Sequence, residues 1–258
     1  MFKIEEFLAV LEEYAPLKIS YKAIEKGDYD NSGLLVKNSQ NVSKILFSLD
    51  LSDLSFEAAK KMGADTIVTH HPAIYNPVKK LSFDGENKDL LIAIKAGMNV
   101  ISMHLNLDMA NDGIDAYLAE GLGGKAFKIL DDLDGEHGYG REFVLKGDAE
   151  EILTEVKKTF GSDKILLYGN GEVNKVASFC GGGSDYAFSC VLGGKTDADL
   201  IVTSDMPHHV LKELIECGKK VMIIPHYVSE NYGFKKFYLW AKEKTCLEAE
   251  YFEDKRFM

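Results

Sequence analysis

The segment Ala64-Asp65-Thr66-Ile67-Val68-Thr69 returns almost unchanged as Ala198-Asp199-Leu200-Ile201-Val202-Thr203. Other matches keep the same order. Val42-Ser43-Lys44-Ile45 resembles Val173-Asn174-Lys175-Val176, and Ala96-Gly97, an apolar run and His104 match Cys217-Gly218, an apolar run and His226. Four residues beyond each of those histidines stands a carboxylate, Asp108 and then Glu230. Matches kept in one order point to a duplicated unit, and that constrains the fold more than any single motif does.

Each copy reads as strand alternating with helix. Lys44–Leu49 and Asn99–Met103 are short apolar runs of strand length. Between them, Asp53 can cap a helix that runs to Met62 and ends at Gly63, and Lys88 to Ala96 is a helix ending at Gly97. The second copy repeats this with strands 175–179, 199–202 and 220–224 and helices 184–192, 207–217 and 229–244. Residues 29–35 and 73–86 read as loops. Such alternation predicts an α/β fold of two related units with mainly parallel sheets, packed face to face around a metal cleft. The expected halves are 1–125 and 126–258, with a mixed segment at 126–172.

The decisive chemistry is Thr69-His70-His71-Pro72. A strand that stops at a proline leaves its last side chains at the carboxyl edge of the sheet, where open α/β folds place ligands. Neighbouring residues on a strand face opposite ways. Both rings can therefore serve one site only past the strand end, or by binding two different metals. If the halves pack with related geometry, His70, His71 and Asp108 from one and His226 and Glu230 from the other can face one cleft. Three imidazoles and two carboxylates suit iron, zinc, manganese or nickel better than magnesium or calcium. Five ligands exceed the needs of one tetrahedral ion, so two divalent ions are expected, with Glu230 bridging and Asp108 as ligand or second bridge. His104, His208 and His209 are candidate proton carriers for catalysis, and Arg141 is either an anion holder or a solvated arginine.

Composition narrows the field. A net charge of −11 over 258 residues argues against a general nucleic-acid surface, although a local basic patch remains compatible with it. No apolar run is long enough to cross a membrane. The four cysteines form no CxxC pair and read as reduced thiols, so a cytoplasmic protein is expected. Gly193-Gly194-Lys195-Thr196 is not a phosphate loop, because the required earlier glycine is Ser189. Cys180-Gly181-Gly182-Gly183-Ser184 fails the dinucleotide pattern at Tyr186, and its glycines read as close backbone packing or an anion-binding turn.

Together with Asp30-Asn31-Ser32-Gly33-Leu34, His104-Leu105-Asn106-Leu107-Asp108, Gly138-Tyr139-Gly140-Arg141 and His226-Tyr227-Val228-Ser229-Glu230, these motifs span nearly the whole chain. The chain thereby resembles the Nif-three-like family of dinuclear-metal proteins, often labelled GTP cyclohydrolase I type II homologs. The resemblance implies two metal ions on His70, His71, Asp108, His226 and Glu230, and a ring-like homohexamer. Departures from the family pattern at Leu105, Pro225 and Thr203-Ser204-Asp205 spare every metal ligand, and the last bears on substrate contacts. The expected activity is a metal-dependent hydrolase that opens the purine ring of a nucleotide. The residues alone fit phosphoester hydrolysis equally. A non-enzymatic metal scaffold, metal carrier or regulatory interaction protein is the alternative.

Overall fold

The computed structural model describes residues 2–85 and 87–258. In chain order the first elements are β1 (Phe2–Lys3), α1 (Ile4–Tyr14), α2 (Leu17–Glu25), β2 (Gly33–Val36), β3 (Asn41–Val42), β4 (Lys44–Ser48), α3 (Asp53–Met62), β5 (Thr66–Thr69), α4 (Lys88–Lys95), β6 (Asn99–Ser102) and α5 (Leu105–Met109). There follow α6 (Ile114–Gly121), β7 (Lys128–Asp132), β8 (Gly138–Asp148), α7 (Ala149–Phe160), β9 (Leu166–Tyr168), β10 (Glu172–Ser178), α8 (Ser184–Leu192), β11 (Leu200–Thr203), α9 (His208–Glu216), β12 (Lys220–Ile223), α10 (His226–Thr245) and β13 (Glu248–Phe252). The fold is α/β, with two compact units: Met1–Leu107 with Phe234–Asp254, and Asp108–Gly233 with Lys255–Met258. One cut at residue 125 does not give these units, because the chain returns late to the first sheet: β13 pairs with β4 in parallel, Glu248 opposite Lys44.

The first unit holds a five-stranded sheet in the order β13-β4-β5-β6-β2. All its pairs are parallel except β2 with β6. Every residue of β5 and β6 is buried, as expected of parallel strands covered on both faces. The aromatic core forms where the carboxyl part of α10 meets Phe47 of β4, whose ring centroid lies 6.3 Å from Phe234, 6.0 Å from Phe237 and 5.4 Å from Tyr238. Helix α3 is capped one residue earlier than expected, by Ser52, whose Oγ accepts from the Ser55 amide at 3.2 Å.

The second unit holds a six-stranded sheet in the order β7-β8-β10-β11-β12-β9. Only β10-β11-β12 run parallel, so this sheet is mixed rather than mainly parallel. The reason lies in the segment where helix and strand cease to alternate. A connection as short as 133–137 between β7 and β8 can join only antiparallel neighbours.

One local expectation changes: the stretch 29–35, read as a loop, yields strand β2, which pairs with β6. Gly138–Arg141 belongs to β8. After β6 the chain makes the helical turn α5, which carries Asp108. Among the described residues, no helix is long and apolar enough to cross a membrane.

Candidate metal centre

In the first unit, the puzzle of adjacent histidines is resolved by the backbone. Strand β5 ends at Thr69, and the amides of both His70 and His71 then donate to one carbonyl, that of Leu49, at 3.1 and 3.0 Å. The Thr69 hydroxyl donates to the carbonyl of His71 at 2.8 Å and holds the turn. The chain has left the strand, so strand alternation no longer separates the two rings. Their centroids lie 4.9 Å apart, and that of His104 lies 5.2 Å from His70 and 5.9 Å from His71.

Each of these rings is held by its Nδ1. His70, fully buried, points Nδ1 at the carbonyl of Met103, 2.7 Å away. A carbonyl can only accept, so Nδ1 carries a proton and Nε2 is the nitrogen left for a ligand. His71 Nδ1 meets Asp50 Oδ1 at 2.7 Å, and His104 Nδ1 meets Asp30 Oδ1 at 2.7 Å. Asp30 is buried, and Ser20 and Ser32 both donate to its other oxygen. Burial alone would raise its carboxyl, but the hydrogen bond and charge of His104, with Ser32 and the Asn31 amide, outweigh it and hold Asp30 below the ordinary value. A histidine whose Nδ1–H is spoken for by an oxygen is oriented as metal-binding histidines are.

In the second unit, His226 opens α10 and Glu230 follows one turn later. His226 Nδ1 meets Asp205 Oδ2 at 2.5 Å, while its Nε2 lies 3.0 Å from Glu230 Oε1. With the proton on Nδ1, the second contact sets a lone pair against a carboxylate, and only a proton or a shared cation makes that favourable. Asp205 reaches its position from a backbone with φ 23°, a costly conformation for a residue other than glycine. Beside this pair, Gly181 has φ +54°, and a Cβ there would fall 2.1 Å from Glu230 Oε1 and 3.3 Å from His226 Nε2. Its amide donates to Ser229 Oγ at 3.2 Å. The triple-glycine turn thus serves close packing against the carboxylate.

Asp108 is buried and accepts from the Cys180 thiol at 3.5 Å. Burial, with Asp108, Asp115 and Glu230 nearby, pushes that thiol well above its ordinary value, so Cys180 stays protonated. Arg141 is neither a solvated side chain nor an anion holder. It is buried, with Nη1 3.1 Å from Asp115 Oδ2 and 2.8 Å from the Gly138 carbonyl. Burial raises Asp115 to about 7 in spite of Arg141 and the Cys180 amide. His208 and His209 stand exposed in the first turn of α9, and His137 is tied to Asp134 at 3.1 Å in the β7–β8 turn.

The donor set fits a divalent transition metal: imidazoles whose Nδ1 is engaged by an oxygen, and buried carboxylates. Sequence reasoning missed Asp30, Asp50 and Asp205, the partners of the histidines. The one available signal was position, since Asp50 and Asp205 follow strands β4 and β11 at the same edge as the histidines they hold.

The chain matches the family described as Duf34/NIF3 (NGG1p interacting factor 3) over residues 2–253. A Clostridium perfringens protein named GTP cyclohydrolase 1 type 2 homolog is 30% identical over 261 residues, covering 98% of this chain and 96% of its own. A solved structure described as reduced HcgD from Methanocaldococcus jannaschii superposes with a TM-score of 0.81 at 28% identity, covering 98% of each chain. A Bacillus cereus protein related to NIF3 shares the fold with a TM-score of 0.84 at 18% identity, over 98% of this chain and 97% of its own.

Proposed function

The chain belongs to the Duf34/NIF3 family, and on that premise we propose that it is a dinuclear-metal-dependent hydrolase that opens the purine ring of a nucleotide. The relatives named GTP cyclohydrolase 1 type 2 homolog support the reaction class. The observation that carries the reading is the shared state of the histidines: His70, His71 and His226 each have Nδ1 on an oxygen, which leaves Nε2 to bind metal. In this proposal His70, His71, Asp108, His226 and Glu230 would hold two ions of iron, zinc, manganese or nickel, with one of the adjacent histidines for each ion and Glu230 shared between them. The chemistry such ions supply is a water of lowered pKa and charge stabilisation at the attacked carbon.

The remaining roles belong to the chain. His104, steadied by Asp30, takes and returns a proton at Nε2, and the Asp30 carboxylate favours the charged ring as it forms. His208 and His209 are further candidates for proton transfer on the substrate side. Met103 and Asp50 fix the rings of His70 and His71, so that binding metal costs little reordering.

The test combines metal analysis with turnover. Purified protein should carry about two transition-metal ions per chain and convert GTP in a panel of nucleotides and phosphoesters, losing both ions and activity in Glu230→Ala. Retention of both ions by that variant removes the bridging role. Activity that survives complete chelation refutes the hydrolase. Metal binding with no turnover across the panel assigns the chain to metal carriage or scaffolding instead.

A further inference from the structure

At the other edge of the first sheet, where the strands begin, lies a cavity of about 620 Å³ between the carboxyl ends of α3 and α4. His70, His71 and His104 follow β5 and β6, whereas this cavity is lined by Ala64 and Met98, which precede them. Its floor is apolar: Phe56, Ala64 and Met98 belong to one buried cluster, with Ile92 packed against it. One wall is Phe83, an aromatic ring 60% exposed. Lys95 holds its Nζ 5.7 Å from the centre of that ring.

The charged groups that line this cavity are both lysines, Lys60 and Lys95. Among the described residues no carboxylate pairs with either. Each lysine stands in the last turn of its helix, where the helix end carries roughly half a negative charge. A full ammonium exceeds that half charge, so the mouth of the cavity stays positive. The volume lies within the range of small-molecule sites, which pair an apolar lining with a few polar groups that fix orientation.

We propose that this cavity binds a soluble amphipathic anion, its apolar body on Phe56, Ala64 and Met98 and its anionic head between Lys60 and Lys95. Neither an acidic protein surface nor a neutral hydrocarbon accounts for both features. The first would leave the floor uncovered and the second would leave the lysines unmatched.

The probe is 8-anilinonaphthalene-1-sulfonate, titrated into the full chain and followed by fluorescence, with displacement by decanoate, decanol or decyltrimethylammonium. One saturable site is expected, displaced by decanoate and not by the cationic amphiphile. Lys60→Glu with Lys95→Glu should weaken decanoate at least about tenfold, because attraction becomes repulsion at short range, and leave decanol unchanged. Ala96→Trp, at an exposed position on the rim, should abolish binding of every probe with the melting temperature preserved. Equal displacement by the cation, or charge reversal without effect, overturns the reading of the lysines. Full binding in Ala96→Trp places the probe elsewhere and overturns the site. Co-sedimentation with phosphatidylglycerol vesicles, or loss of probe binding on self-association, assigns the face to a membrane or a second copy and equally overturns the proposal.

Discussion

The carboxyl edges of the two sheets are built on similar backbones and carry opposite chemistry. In each sheet three consecutive strands run parallel, β4-β5-β6 and β10-β11-β12, and the last is flanked by an antiparallel strand from earlier in its own unit. Equivalent hydrogen bonds mark the register: the Met103 amide donates to the Thr69 carbonyl, and the Ile224 amide to that of Thr203. Past those threonines come His70-His71 in one unit and Ser204-Asp205 in the other. In that register His104 stands level with Pro225, and His226 falls one residue later, as the first residue of a helix. The first edge therefore presents three imidazoles with Asp50, Asp30 and a carbonyl behind them. The second presents acid groups, with one imidazole held between Asp205 and Glu230. Iron, zinc and nickel suit imidazole nitrogen, with carboxylates supplying compensating negative charge. The contrast teaches that similar backbones can present imidazole-rich and carboxylate-rich chemistry at the same edge.

The hardest blow to this contrast falls on the second unit, where the acidic edge rests on a buried ion pair. At pH 8, above the raised Asp115 value, Arg141→Met leaves the ionised Asp115 without its partner and should cost about 3–5 kcal/mol in denaturant unfolding, since one charge of a buried pair is stranded. A loss no larger than that of a surface arginine would mean that Asp115 is already neutral in the wild type. The next effect compares the supports of the two edges directly. Asp50→Ala frees His71 and Asp205→Ala frees His226, and each should weaken transition-metal affinity about 10–100-fold in competition with a chelator. If only one of the pair has an effect, the centre belongs mainly to that edge.

Much of this was legible in the sequence. Short apolar runs ended by His-His-Pro, or followed by histidine, put His70, His71 and His226 just past strand ends, while Asp108 and Glu230 came out on the helices that follow. There the local period of the chain decides position. What sequence could not show was pairing between distant segments. Asp30 meets His104 across 74 residues, and Asp115 meets Arg141 across 26. Nothing local in either partner announces such a bond, and Arg141 in a glycine-rich stretch reads as exposed until β8 buries it. Strand β2 was hidden for a related reason: its polar approach 28–32 has turn composition, and only pairing with β6 makes Gly33–Val36 a strand.

The smallest expected effect is a slope rather than a step. Asp115 is raised to about 7 from an ordinary 3.8, because burial outweighs the attraction of Arg141. Folding thus favours its neutral form. Its contribution to stability is full below about pH 4 and is lost as pH rises through 7. The wild type should lose stability across that window, and Asp115→Asn, which cannot ionise, should remove that part of the slope. Asp30 works the other way. Its carboxyl is held below the ordinary value, so its contribution is present above about pH 4 and lost as pH falls further. The two carboxyls therefore have opposite acid responses, and unfolding free energies measured from pH 3 to 8 on the two single variants, Asp30→Asn and Asp115→Asn, separate them. If Asp115→Asn leaves the fall between pH 4 and 7 intact, the carboxyl is ionised throughout and the pair with Arg141 is a full ion pair. The second edge would then owe its acidity to a charge already neutralised, and Asp108 and Glu230 alone would carry the contrast.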